Sequence, residues 1–125
     1  MRQIGLLLGA ALVVGVACKS TPSGNGSDCS STAANVVIDV DNGTSYSLPS
    51  ATITRGQKVC WQNLAATSHT VTADFSSADT SWKLDAQLNA AFVVLYTFND
   101  TIPVDYYYHC RYHQAQGMTG VIHMR

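Results

Sequence analysis

An all-β sandwich is the fold class that this 125-residue sequence predicts. Three observations predict it. Short stretches of alternating apolar and polar residues recur along the chain, separated by turn residues. No long amphipathic helical pattern lies among them. The composition is 46% hydrophobic and only 12% charged, and it favours Val, Thr, Ser and Tyr, side chains that suit a half-buried pleated surface.

The N-terminal residues are set aside first. Arg2 gives a positive start, and Ile4 to Val16 is an apolar run broken only by glycines. That run is short for a bilayer span but suits the hydrophobic core of an export signal. Gly5, Gly9 and Gly15 and the lack of a polar face speak against a helix of the folded domain. Ala17 before Cys18 resembles a bacterial lipoprotein processing site, so residues 1–17 are expected to be a signal and Cys18 the lipidated first residue. Gly15 stands where that motif usually has a branched aliphatic residue, and plain signal cleavage is the alternative. Residues 18–34, rich in Ser, Gly and Asn, are expected to form a flexible tether. The domain is then residues 35–125, long enough for one core and no more.

Within it, Val36, Ile38 and Val40 share one face of a strand, and Asp41-Asn42-Gly43 makes a turn. Tyr46 to Arg55 is extended, with Pro49 placing it at an edge or bend. Lys58 to Gln62 carries Val59 and Trp61 on one face. Ser68 to Ala73, Phe92 to Phe98, Val104 to Cys110 and Val121 to Met124 complete the strands. Between Phe75 and Ala91, Trp82, Leu84 and Leu88 are read as a short helix or an irregular crossover. Alternation puts Tyr106, Tyr108 and Cys110 on one face of their strand and Tyr107 and His109 on the other, outward one. His123 is expected outward on the last strand.

A net charge of −1 offers no basic patch for nucleic acid, and that class is excluded. The chemistry lies near the C-terminus. Cys110 is followed three positions later by His113, and Met118 comes five positions after that. A thiolate with imidazoles suits copper, whereas calcium and magnesium want oxygen ligands. A thiolate and two imidazoles in a plane, with a weak axial thioether, make an electron-transfer copper site. The loop supplies three of these donors. His69, opening a short strand in Ser68-His69-Thr70-Val71, is the candidate for the fourth. Zinc competes poorly, because a structural zinc site wants four strong ligands and Met118 is a weak one.

With Gly56 to Asn63 (GQKVCWQN), Ser68 to Val71 and the Cys110 to Gly120 loop in view, the chain resembles a cupredoxin of the plastocyanin and pseudoazurin type. The resemblance implies a cupredoxin-like Greek-key β-sandwich holding one type 1 copper through His69, Cys110, His113 and Met118. It also implies an electron carrier, not an enzyme, monomeric and meeting redox protein donors and acceptors transiently. Export places it in the periplasm or at the outer cell surface, with membrane contact only through a lipid on Cys18. A copper protein for delivery or storage is the rival reading. Enzymes of this chemistry need further copper ligands, and only four histidines are present.

By the same resemblance, Thr70 stands where the family helps to hydrogen-bond the sulfur region. Tyr112 replaces plastocyanin's proline, so its amide is expected to donate to the Cys110 sulfur. His109 replaces an outward tyrosine used for partner contact, either as a route for electrons or as an exposed residue with no role. With Cys18 and Cys110 assigned, Cys29 and Cys60 are expected to pair as a disulfide in an exported chain. A free buried Cys60 is the alternative.

Overall fold

The structure, a computed structural model, describes residues 28–74 and 82–125. The expected signal, Cys18 and most of the tether lie outside the described residues, as does the segment 75–81. Among the described residues, eight strands form two sheets: β1 (Val36–Val40), β2 (Ser50–Ile53), β3 (Lys58–Asn63), β4 (His69–Ala73), β5 (Asp85–Leu88), β6 (Val93–Thr97), β7 (Val104–His109) and β8 (Thr119–Met124). The smaller sheet runs β1-β3-β6 and the larger β2-β8-β7-β4-β5. β1 lies parallel to β3 and β2 parallel to β8, while the remaining pairs are antiparallel. The Pro49 stretch lies at an edge among the described residues, where β2 begins beside that proline and pairs only with β8.

The alternations read from the sequence become the inner faces of the sandwich. Ile38, Val40, Val59, Trp61, Tyr106 and Tyr108 are buried. Trp82 stacks on Phe98 with centroids 5.2 Å apart and leans on Tyr106 at 4.9 Å. Tyr108 lies edge-on to Tyr46 and Trp61. Each such side chain contributes on the order of 1.5–3 kcal/mol by leaving water.

One expected element is corrected. Asp85–Leu88 is not helical but a strand, paired with β4 so that Leu88 faces His69 and Asp85 faces Thr72. Trp82, Leu84, Ala86 and Leu88 all turn to the core. Their spacing is two, the period of a strand.

The packed structure also begins before Asn35. Cys29–Ser31 forms a 3-10 turn capped by the Asp28 side chain. Cys29 is buried and bonded to Cys60. Register aligns Val37, Cys60 and Leu95 across the outer face of the small sheet, and the disulfide ties the end of the expected tether onto that face.

Candidate metal centre

All the candidate ligands gather at one end of the sandwich. β3 ends at Asn63, whose side chain donates to the carbonyls of Thr67 and Leu88 (2.7 and 2.9 Å) and accepts from the Ala65 amide (2.8 Å). One buried amide therefore fixes the loop between β3 and β4 and delivers His69 as the first residue of β4. Thr67 Oγ1 lies 3.1 Å from His69 Nε2. A proton on Nε2 donated to that hydroxyl leaves Nδ1 with the free lone pair. Burial, and then the neighbouring His113, hold His69 below the ordinary imidazole value, favouring the neutral ring that can ligate a metal.

The second contribution is the turn between β7 and β8. Cys110 directly follows β7, and Met118 directly precedes β8. The Cys110 amide donates to the Met118 carbonyl (3.0 Å), while the amides of Met118 and Gln116 both donate to the His113 carbonyl. Gly117 turns the chain with φ 86°, a left-handed value that disfavours a side chain. Thr70 Oγ1 accepts from the Arg111 amide at 2.9 Å, and the Thr70 carbonyl accepts from the buried Tyr46 hydroxyl at 2.6 Å. The turn is thereby stitched to β4.

Of the four residues singled out in the sequence, His69, Cys110 and His113 converge, with ligand atoms all within 4.8 Å of one another. Cys110 Sγ is 3.9 Å from His69 Nδ1 and 3.6 Å from His113 Nδ1. A first-row metal at roughly 2.0–2.3 Å from nitrogen and sulfur would set such donors about 3.8 Å apart in a trigonal plane. The two sulfur-to-nitrogen distances match those of a metal held by this thiolate and these imidazoles. Met118 is fully buried in the same turn, its backbone bonded to Cys110 and His113. Cys110 and His69 are likewise fully buried, while His113 is partly exposed.

One expectation about a neighbouring residue changes. Among the described residues the Tyr112 amide makes no hydrogen bond to the Cys110 sulfur. Tyr112 is exposed, and its hydroxyl donates to Gln87 Oε1 at 2.9 Å. Thr70 acts one residue further along than the sulfur, on the Arg111 amide. His109 sits half-buried beside a surface cavity with Lys83, Asp85 and Arg111. His123 is partly buried and bonded to Asp105. Thr67 and Asn63 were not singled out as site residues. Asn63 closing the β3 motif and Thr67 two residues before His69 were the available signals.

A thiol flanked by two imidazoles on a closed strand-to-strand turn, in a two-sheet β-sandwich, defines a cupredoxin-type site. Residues 33–125 match the family of copper binding proteins described as the plastocyanin/azurin family, and the chain belongs to that family. Copper is its cofactor, and membership implies copper-based electron transfer. A search of curated proteins finds no match. Among solved structures, a purple cupredoxin from Nitrosopumilus maritimus is similar at 21% identity and TM-score 0.57, covering 73% of this chain and 100% of that one. A reduced amicyanin variant is similar at 23% identity and TM-score 0.61, covering 75% of this chain and 84% of that one. An oxidised amicyanin variant has 22% identity and TM-score 0.60, covering 72% and 81%. These likenesses establish the shared fold.

Proposed function

We propose that the chain is an electron carrier using a single type 1 copper ion held by His69, Cys110, His113 and Met118. The observation that carries this reading is the facing of two imidazole Nδ1 atoms onto one buried free thiol, at 3.9 and 3.6 Å. Bound copper supplies a one-electron couple between Cu(I) and Cu(II). The chain's own residues supply the rest. Cys110 offers the thiolate, and Thr67 keeps His69 in the ligating tautomer. The backbone bonds of the turn hold the donors in place, so little moves when charge changes. Partly exposed His113 is the ligand nearest to water and to a docked partner.

The carrier is read as exported, periplasmic or at the outer cell surface, anchored by a lipid on Cys18, and monomeric. The apolar leader and the Cys29–Cys60 disulfide support export, since disulfides persist in oxidising compartments. Its partners are redox proteins that donate and accept electrons in brief encounters. The buried ligands favour this reading over copper delivery, which needs exchangeable ones.

The test is the visible spectrum of the leaderless chain with cupric ion, beside Cys110→Ser. An intense blue thiolate-to-copper band, reversibly bleached by reductant and absent from the variant, is expected. A colourless wild-type protein, or colour that survives Cys110→Ser, would overturn the reading.

A further inference from the structure

The path of the first described residues is unusual for what it does to the chain's point of attachment. β3 runs from Lys58 at the far end of the sandwich to Asn63 at the end that bears His69, Cys110, His113 and Met118. Asn35 sits at the far end, exchanging hydrogen bonds with the Lys58 backbone (2.9 Å each way). Reading back from Asn35, the neighbours climb the same strand. Cys29 is bonded to Cys60, and its amide donates to Gln62 Oε1 at 2.7 Å. Asp28 lies in a cleft with Asn63, Leu64, Ala66 and Ala91, against the loop that Asn63 pins to Thr67. Residues 28–34 thus run antiparallel to β3 over about 17 Å of strand. Without that run the chain would leave the domain at Asn35, opposite the metal centre.

We infer that the Cys29–Cys60 disulfide moves the exit of the N-terminal segment to the copper end, so that a domain anchored through Cys18 turns that end toward the membrane. The inference rests on the anchored, copper-carrying reading above. Nine residues lie between Cys18 and Asp28, and a Gly/Ser-rich spacer of that length reaches about 17 Å root-mean-square. The partner that fits this presentation is a redox protein embedded in the same membrane, with its docking face near the bilayer surface. A carrier tied at Asn35 would offer its copper end to soluble partners instead.

The test couples the copper-loaded chain beginning at Cys18, through that thiol, to a maleimide lipid in phosphatidylcholine vesicles. Cys110 is buried and ligating, and Cys29 and Cys60 are bonded, so Cys18 is the reactive site. A headgroup dye emitting within the blue band reports nearness as quenching that disappears when ascorbate reduces the copper. The comparison is a Cys18→Ser chain anchored through a cysteine appended after Arg125. β8 runs away from Met118 to Met124, so that anchor lies at the far end. Severalfold stronger copper-dependent quenching is expected with the N-terminal anchor. It should fall toward the C-terminal value in the Cys29→Ser, Cys60→Ser chain. Equal quenching from both anchors overturns the inference, and because both carry the disulfide this holds even if the double variant does not fold. The spectrum before coupling separates the two failures. A missing band sinks the carrier reading and this inference with it, whereas a normal band with equal quenching sinks the orientation alone.

Discussion

Cys60 and Cys110 are equally inaccessible, both fully buried, yet they sit in different sheets and face different chemistry. Cys60 lies in the middle strand of the three-stranded sheet, pointing to its outer face, where Cys29 closes over it. Cys110 lies just past the central strand of the five-stranded sheet, with two imidazole nitrogens within 4 Å of its sulfur. Burial is the same in both, and the neighbours decide. The small sheet holds its cysteine by a covalent bond between distant parts of the chain. The large sheet holds its own by backbone and hydroxyl hydrogen bonds that leave the sulfur free. The first arrangement adds stability and fixes a path, and the second fixes a geometry.

If the division is real, cutting the disulfide should damage stability and spare the site. Closing a loop of 31 residues contributes about 3–4 kcal/mol on the chain-entropy account. Cys29→Ser with Cys60→Ser should lose about that much in urea unfolding while the blue band keeps its position and intensity. A shifted or weakened band would show that the two sheets are coupled and that the comparison is drawn too sharply.

A substitution between Cys110 and its sheet should do the reverse, costing less stability and disturbing more chemistry. Gly120 pairs with Tyr108 across β7 and β8, and a Cβ on it would come 2.3 Å from Tyr108 Cζ. Gly120→Ala must push a buried ring that also packs on Tyr46 and Trp61. Overpacking of this kind costs about 1–3 kcal/mol. The shift of β8 should carry Met118 with it and change the reduction potential, measured by titration of the blue band. An unchanged potential would show that the turn is insulated from its own strand.

The pattern of residues made the sandwich, its edge at Pro49 and the converging ligands legible, because period-two alternation and Cys-His-Met spacing are local signals. Asp85–Leu88 was misread because Trp82, Leu84 and Leu88 were weighed without Ala86, a small residue that completes the strand period but carries little hydrophobic signal. The Cys29–Cys60 disulfide was legible from the cysteines and the expected export, but the packed run of residues 28–34 around it was not. Its hold comes from a disulfide and the Gln62 side chain, long-range contacts written over a composition that reads as spacer. The Tyr112 amide shows a third limit. Loss of proline supplies a donor, but the direction of that donor depends on backbone torsions that no motif prints.

A smaller effect would sharpen the account of how the site is held. Thr70→Val keeps the shape and removes the hydroxyl that accepts from the Arg111 amide. An amide left without its partner costs about 1–2 kcal/mol. The variant should unfold at correspondingly lower urea and lose copper to a chelator faster, because β4 and the ligand turn are less firmly joined. Unaltered copper retention would leave the turn's own backbone bonds as the sufficient restraint.

The smallest effect tests the end of the large sheet remote from the ligands. Asp105 on β7 accepts from His123 Nδ1 at 2.8 Å and from the Arg125 guanidinium at 2.6 Å. The hydrogen bond from His123, then that from Arg125, holds its carboxyl below the ordinary carboxylate value. A folded value below the unfolded one means that the contribution is fully present above the usual carboxylate range, near pH ~4. It is lost as pH falls through the folded value. The group is at the surface, so solvent screens it and the contribution is small. Asp105→Asn should therefore lower the unfolding midpoint slightly at neutral pH and not at all at the acid end, where wild type has also lost its charge. The comparison belongs in the Cys110→Ser background, so that protonation of the copper ligands does not enter the acid limb. A constant difference between the two chains across the whole pH range would mean that the carboxylate acts by shape and not by charge.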